Sequence, residues 1–158
     1  MSSRIRVAVV GCGIGKSHAA AFRNLPEMFD VVALCDPNAE RARDLAEMAS
    51  VQRVTERFAD VLAMDDVDVV DLCTPPSLHY QQVLDVLSAG KHCICEKPLV
   101  GSLRAVDELM AAEKRSGKLM MPIFQYRFGQ GAQKLYHLRE RGLTGQAYVA
   151  TIEMHWRR

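Results

Sequence analysis

Three groups of residues in this chain have types and spacings that could do chemistry. Glu96-Lys97-Pro98 closes the apolar stretch His92-Cys93-Ile94-Cys95, which puts a lysine at the carboxyl end of an expected strand. That end of an open α/β sheet is where ligands bind. Gly11-Cys12-Gly13-Ile14-Gly15 directly follows the expected strand Val7-Ala8-Val9-Val10 and precedes a helix starting near Lys16. Glycines there allow a tight turn and a close backbone approach to a pyrophosphate, and the helix points its positive end at that charge. The spacing is GxGxG, one residue shorter than GxGxxG, which can shift the choice of amide that meets the phosphates. Third, Val31-Val32-Ala33-Leu34-Cys35-Asp36 ends in an acid. It lies about twenty residues past the turn, where a carboxylate accepts hydrogen bonds from the adenosine ribose hydroxyls. Asp36 would repel a 2′-phosphate, so NAD is expected over NADP. A turn or capping residue before Pro37-Asn38 is its other reading.

To hold these residues at one edge, the chain needs parallel strands with crossover helices, and its periodicity supplies them. Strands are expected at 4–10, 31–36, 53–55, 67–73, 92–96 and 118–124, several apolar almost throughout, as when helices cover both faces. Amphipathic segments fall between them. The one at 38–49 follows Asn38, 77–89 has Ser77 as candidate N-cap and Gly90 at its end, and 102–116 has Ser102 and Gly117. The fold class is therefore α/β, a doubly wound parallel sheet of the Rossmann dinucleotide-binding type over 1–124. After Phe124 the character changes. Residues 125–129 read as a connector and 130–141 as a helix stopped by Gly142. Residues 146–156 alternate as a strand, with Tyr148, Ala150, Ile152, Met154 and Trp156 on one apolar face.

Composition limits the function classes. The 158 residues are 49% hydrophobic and 25% charged, which suits a soluble globular domain with one core. Twenty basic against nineteen acidic residues give a net charge of +1 with no basic cluster, so nucleic acid is not an expected partner. The apolar runs are too short for a membrane span, and the start lacks a secretion signal, so a cytoplasmic location is expected. The five cysteines have no CxxC spacing and are an odd number, so they are expected as buried small hydrophobes, without disulfides or a metal site.

The fourth strand ends Asp71-Leu72-Cys73-Thr74-Pro75, with His79 shortly after. Taken with the glycine turn, Asp36 and Glu96-Lys97-Pro98-Leu99, this ordered set resembles the Gfo/Idh/MocA oxidoreductases, the glucose-fructose oxidoreductase and inositol dehydrogenase group; Tyr126-Arg127-Phe128 is similar to that family's linker. The resemblance implies an NAD(P)-binding domain joined to a second domain that holds a sugar, polyol or related substrate against the nicotinamide. It makes Lys97 the catalytic lysine, puts Thr74 and Pro75 beside the cofactor and Glu96 on the nicotinamide ribose, and allows a cis bond before Pro98. Cofactor contact is expected from Gly11, Cys12, Gly13, Ile14, Gly15, Asp36, Thr74, Pro75, His79, Glu96 and Lys97. A surface ion pair for Glu96-Lys97, an ordinary helix position for His79, a packing or pyrophosphate-facing role for His18 and a linker role for Arg127 are the plainer alternatives. The family's further aspartate and histidine, deep in the second domain, match neither His137 nor His155. Residues 125–158 are thus expected to be the linker, helix and first strand of a truncated substrate domain. Its apolar strand face, 146–156, is expected to drive homo-oligomerisation, and a nucleotide-binding module without turnover is the alternative function.

Overall fold

A computed structural model describes residues 4–151 and 153. Six parallel strands form one sheet in the order β3-β2-β1-β4-β5-β6: β1 is Ile5–Val10, β2 Phe29–Cys35, β3 Arg53–Thr55, β4 Val69–Leu72, β5 His92–Cys95 and β6 Met120–Pro122. The order reverses between β1 and β4, which is the topological switch point where such sheets bind dinucleotides. The six strands expected over residues 1–124 are all present. β2 begins two residues earlier than the apolar run suggested: Phe29 pairs with Ile5, and its ring packs 5.1 Å from that of Phe22.

Alternate residues of the strands feed two apolar layers. Ala8, Val10, Ala33, Cys35, Val70, Leu72, Cys93 and Cys95 face one side, where α3 (Phe58–Leu62), α4 (Pro76–Ser88) and α5 (Leu103–Ser116) supply Val61, Val83, Val86 and Leu109. Val7, Val9, Leu34 and Val69 face the other, under Ala19 of α1 (Gly15–Arg23) and Ala42, Leu45, Ala46 and Ala49 of α2 (Ala39–Ala49). All five cysteines are free and buried, as their placement in strands suggested.

Local chemistry sets the ends. Asn38 Oδ1 accepts from the Arg41 N–H at 3.0 Å and Ser102 Oγ from the Ala105 N–H at 3.2 Å, so both expected N-caps form. Gly117 ends α5 at φ 66°, in the left-handed region that favours glycine. Ser77 is not a cap: α4 starts at Pro76, because a proline at the first helical position loses no hydrogen bond. The short α3 was not foreseen, since five residues carry too little periodicity to register.

The chain divides into two compact units, Met1–Ile123 and Phe124–Arg158. The second holds a 3₁₀ turn at Gln125–Phe128, where Arg127 lies 5.6 Å over the Phe128 ring, and α6, Gln130–Glu140. The strand expected over 146–156 is not formed at 146–151 or at 153, which have no partner strand to complete a ladder; its other residues lie outside the described residues. No described helix is long and apolar enough to cross a membrane.

Candidate cofactor site

The glycine turn keeps the three separate duties of a dinucleotide fingerprint despite its missing residue. Gly11 has φ +93°, and a Cβ there would lie 2.5 Å from the Cys73 carbonyl oxygen, so it serves the tight turn against β4. A Cβ on Gly15 would lie 2.8 Å from Val9 Cγ1, so Gly15 lets α1 pack on β1. Gly13 is exposed and a Cβ there would meet nothing within 4 Å, which leaves its backbone open to a ligand. Ile14, 52% exposed, is the N-cap residue of α1; its carbonyl accepts from the Ser17 N–H at 2.9 Å, and the positive amino end of the helix suits an anion.

Asp36 lies at the end of β2, buried, and it anchors this turn. Its Oδ2 accepts from the Cys12 N–H and its Oδ1 from the Asn38 N–H, both at 2.8 Å, while the Arg41 guanidinium approaches Oδ2 at 3.4 Å. The Cys12 amide therefore points at Asp36, and its buried side chain packs in the core. Of the turn residues expected at the cofactor, Cys12 is corrected to a structural position. Burial and the Asp36 charge push its thiol up to about 12, which keeps it protonated and unreactive.

A cleft of about 550 Å³ opens where these elements converge, lined among others by Gly11, Gly13, Asp36, Arg41, Thr74 and Pro75. It lies at the carboxyl ends of β1, β2 and β4, on the side the fold predicts. A larger cleft of about 780 Å³ borders the amino ends of the strands, near Arg4, Asp68 and His92, away from the glycine turn.

The ends of β4 and β5 are tied together by His79. This residue is fully buried; its Nε2 lies 2.8 Å from the Thr74 carbonyl and its Nδ1 2.8 Å from the Pro98 carbonyl. Its ring has no surface left for a ligand, so the expected cofactor contact is corrected: His79 fixes the two loops that border the cleft. Thr74 Oγ1 donates to Gln82 Oε1 at 2.5 Å. The Lys97–Pro98 bond is cis, and Lys97 projects from the strand end as an exposed residue. Beside it, Glu96 is 8% exposed and accepts from the Lys97 N–H through Oε2 at 2.9 Å.

One feature of the site escaped sequence reading. Asp71, in the middle of β4, points to the α1 side and is fully buried. His18 of α1 reaches it with Nδ1 at 2.9 Å and reaches Glu96 Oε1 with Nε2 at 3.2 Å. The hydrogen bond to Asp71 raises the pKa of His18 against the opposing effect of burial, so the imidazolium is favoured. His18 faces these carboxylates, not a pyrophosphate. Cys73 Sγ lies 3.3 Å from His18 Nδ1 and 3.6 Å from Asp71 Oδ2, and burial drives its thiol far up. The three donor atoms lie within 4.8 Å of one another, a spacing a metal ion would accept, and they are joined here by hydrogen bonds. The only signal in the sequence was a charged residue inside an apolar central strand; His18 lies 53 positions from Asp71 and 78 from Glu96 in the chain.

The sequence profile of an oxidoreductase family with an NAD-binding Rossmann fold, Gfo/Idh/MocA, matches residues 5–124. The chain belongs to the Gfo/Idh/MocA family. Among its curated relatives, the D-glucoside 3-dehydrogenase of Escherichia coli K12 is 32% identical over 152 residues, covering 95% of this chain and 43% of its own length. The inositol 2-dehydrogenase of Rhodococcus erythropolis is 34% identical over 147 residues, covering 92% and 42%. The WlbA dehydrogenase of Bordetella pertussis, solved with NADH and UDP-GlcNAcA, superposes with a TM-score of 0.85 at 28% identity, over 90% of this chain and 44% of that one. The chain thus spans less than half the length of these Gfo/Idh/MocA relatives, and the stretch it shares with them includes the NAD-binding Rossmann domain at residues 5–124. The site fits that cofactor. A pyrophosphate would find open space at Gly13 and the positive end of α1, and Asp36 lines the same cleft.

Proposed function

We propose that this chain serves an NAD-dependent dehydrogenase of a sugar, polyol or related small substrate, with Lys97 as the catalytic lysine. The observation that carries the reading is the placement of Lys97, exposed at the carboxyl end of β5 and next but one to the strand that bears the glycine turn. Bound NAD supplies the hydride acceptor or donor. The Lys97 ammonium hydrogen-bonds the reacting hydroxyl or carbonyl oxygen and stabilises the negative charge that develops there. Gly13 and the first turn of α1 take the pyrophosphate, Asp36 the adenosine ribose, Thr74 and Pro75 border the nicotinamide half, and Glu96 takes its ribose. Residues 125–158 supply the linker, the connecting helix and the start of a substrate domain.

A second reading is a nucleotide-binding module without turnover. Lys97→Met separates them. A positioned acid–base group is worth about 10²–10⁴-fold in rate, so in a dehydrogenase the variant loses that factor in kcat while NADH affinity stays within about threefold. Saturable NADH binding with no oxidation across a panel of polyols and sugars selects the module.

A further inference from the structure

His18 sits at a junction between the two halves of the cofactor site. It belongs to α1, the helix that follows the glycine turn; its ring is packed between Asp71 of β4 and Glu96 at the end of β5, and Glu96 in turn holds the Lys97 amide. Both partners of the ring are carboxylate oxygens, which accept only. An imidazolium donates to both, whereas a neutral ring donates to one and turns a lone pair toward the other. The side chain of His18 is 15% exposed and that of Asp71 0%, so water compensates little for a lost donor. Asp71 Oδ1 has no hydrogen-bond partner among the described residues, and its Oδ2 is met by His18 at 2.9 Å and, more weakly, by the Cys73 thiol at 3.6 Å, so His18 is the principal support of its charge.

We propose that His18 is a positioning residue: as an imidazolium donating to Asp71 and Glu96, it locks the strand end carrying Glu96 and Lys97 to the helix of the nucleotide turn. The lock rests on the reading of Glu96 and Lys97 as cofactor-side residues. Its consequence is a pH dependence of NADH affinity. The titratable groups facing the ring are Asp71 of β4, Cys73 just after it and Glu96 of β5, and the pKa of His18 is raised by hydrogen bonds to the two acids. A group raised in the folded state contributes fully below its unfolded value, 6.5, and loses that contribution as pH rises through the higher folded value. The NADH dissociation constant therefore increases as pH rises from 6.5 through the higher folded value, in step with loss of the His18 proton.

The experiment follows the His18 ring by ¹⁵N NMR and NADH binding by fluorescence in the same samples of the chain across this range. A charge-assisted hydrogen bond corresponds to about a tenfold change in affinity, which is the loss expected over the titration. His18→Gln combined with Asp71→Asn removes the imidazolium and the buried charge it would leave unpaired, so the variant is expected to fold. It should bind NADH about tenfold more weakly at the acid end and show no alkaline loss. A His18 that titrates below its ordinary value, or an alkaline loss that persists in the double variant, overturns the proposal. If the wild-type chain binds no NADH at any pH, the cofactor reading itself has failed and the lock falls with it, an outcome distinct from binding that ignores His18.

Discussion

Gly11 and Gly13 stand two residues apart in one turn, yet the same substitution should act on stability at one and on ligand binding at the other. At Gly11 alanine meets backbone on two counts. Its Cβ would lie 2.5 Å from the Cys73 oxygen and 2.7 Å from the Cys73 carbon, and φ is +93°. Neither atom is the end of a flexible side chain, and Cys73 is held to β1 through its N–H on the Val10 carbonyl at 2.7 Å, so relief requires prising β1 from β4. The left-handed backbone costs an alanine roughly 1–2 kcal/mol and overpacking typically about 1–3 kcal/mol more. Together that is about 2–5 kcal/mol, a large part of an ordinary domain's stability of about 5–15 kcal/mol. Gly13→Ala adds a methyl that touches nothing within 4 Å. It should leave stability unchanged or raise it by about 0.4–1 kcal/mol through the unfolded chain, while the methyl occupies the approach of the pyrophosphate and weakens NADH at least about tenfold. Urea denaturation of both variants, with NADH titration of Gly13→Ala, checks the pair. A Gly11→Ala protein within about 0.5 kcal/mol of wild type, or a Gly13→Ala protein with unchanged NADH affinity, would refute the division of labour assigned to the turn.

Three further outcomes follow from other parts of the chain. His79→Ala removes the shared partner of the Thr74 and Pro98 carbonyls and leaves a cavity, so it should cost about 2–4 kcal/mol in urea denaturation, and a smaller loss would mean the loops do not depend on it. Asp68, hydrogen-bonded by the Arg6 guanidinium and amide, is held down at about 2, so its modest contribution is present above the ordinary value of 3.8 and lost as pH falls toward 2. Asp68→Asn should therefore narrow the stability difference between neutral and acid pH, and an unchanged acid limb would contradict the assignment. Tyr148 and Val149 are each 85% exposed, and the chain is expected to self-associate through 146–156; light scattering that shows a monomer at high micromolar concentration would rule this out.

How much of this was legible in the sequence depends on the range of the interaction that decides each feature. The six strands could be read because runs such as Val69-Val70 and Val31–Cys35 are apolar on both faces, and the helix boundaries at Asn38, Ser102 and Gly117 because caps act over three or four residues. The tight turn at Gly11 and the close helix packing at Gly15 could be read, since a strand, a turn and a helix in succession determine them. Cys12 and His79 could not be placed from spacing alone. Their roles come from Asp36, 24 positions from Cys12, and from Pro98, 19 positions from His79. The contact of His18 with Glu96 spans 78 positions and exists only because β1, β4 and β5 are neighbours. At 146–151 the alternation was real, but a strand needs a ladder partner and the described residues offer none there.

Paired fluorescence titrations of this chain with NADH and NADPH ask whether the cleft at the switch point holds NAD with Asp36 on its adenosine side. NADH should bind saturably and NADPH more weakly, by about tenfold or more, because a 2′-phosphate would approach the Asp36 carboxylate. No saturable binding of either nucleotide, or tighter binding of NADPH, would contradict that assignment.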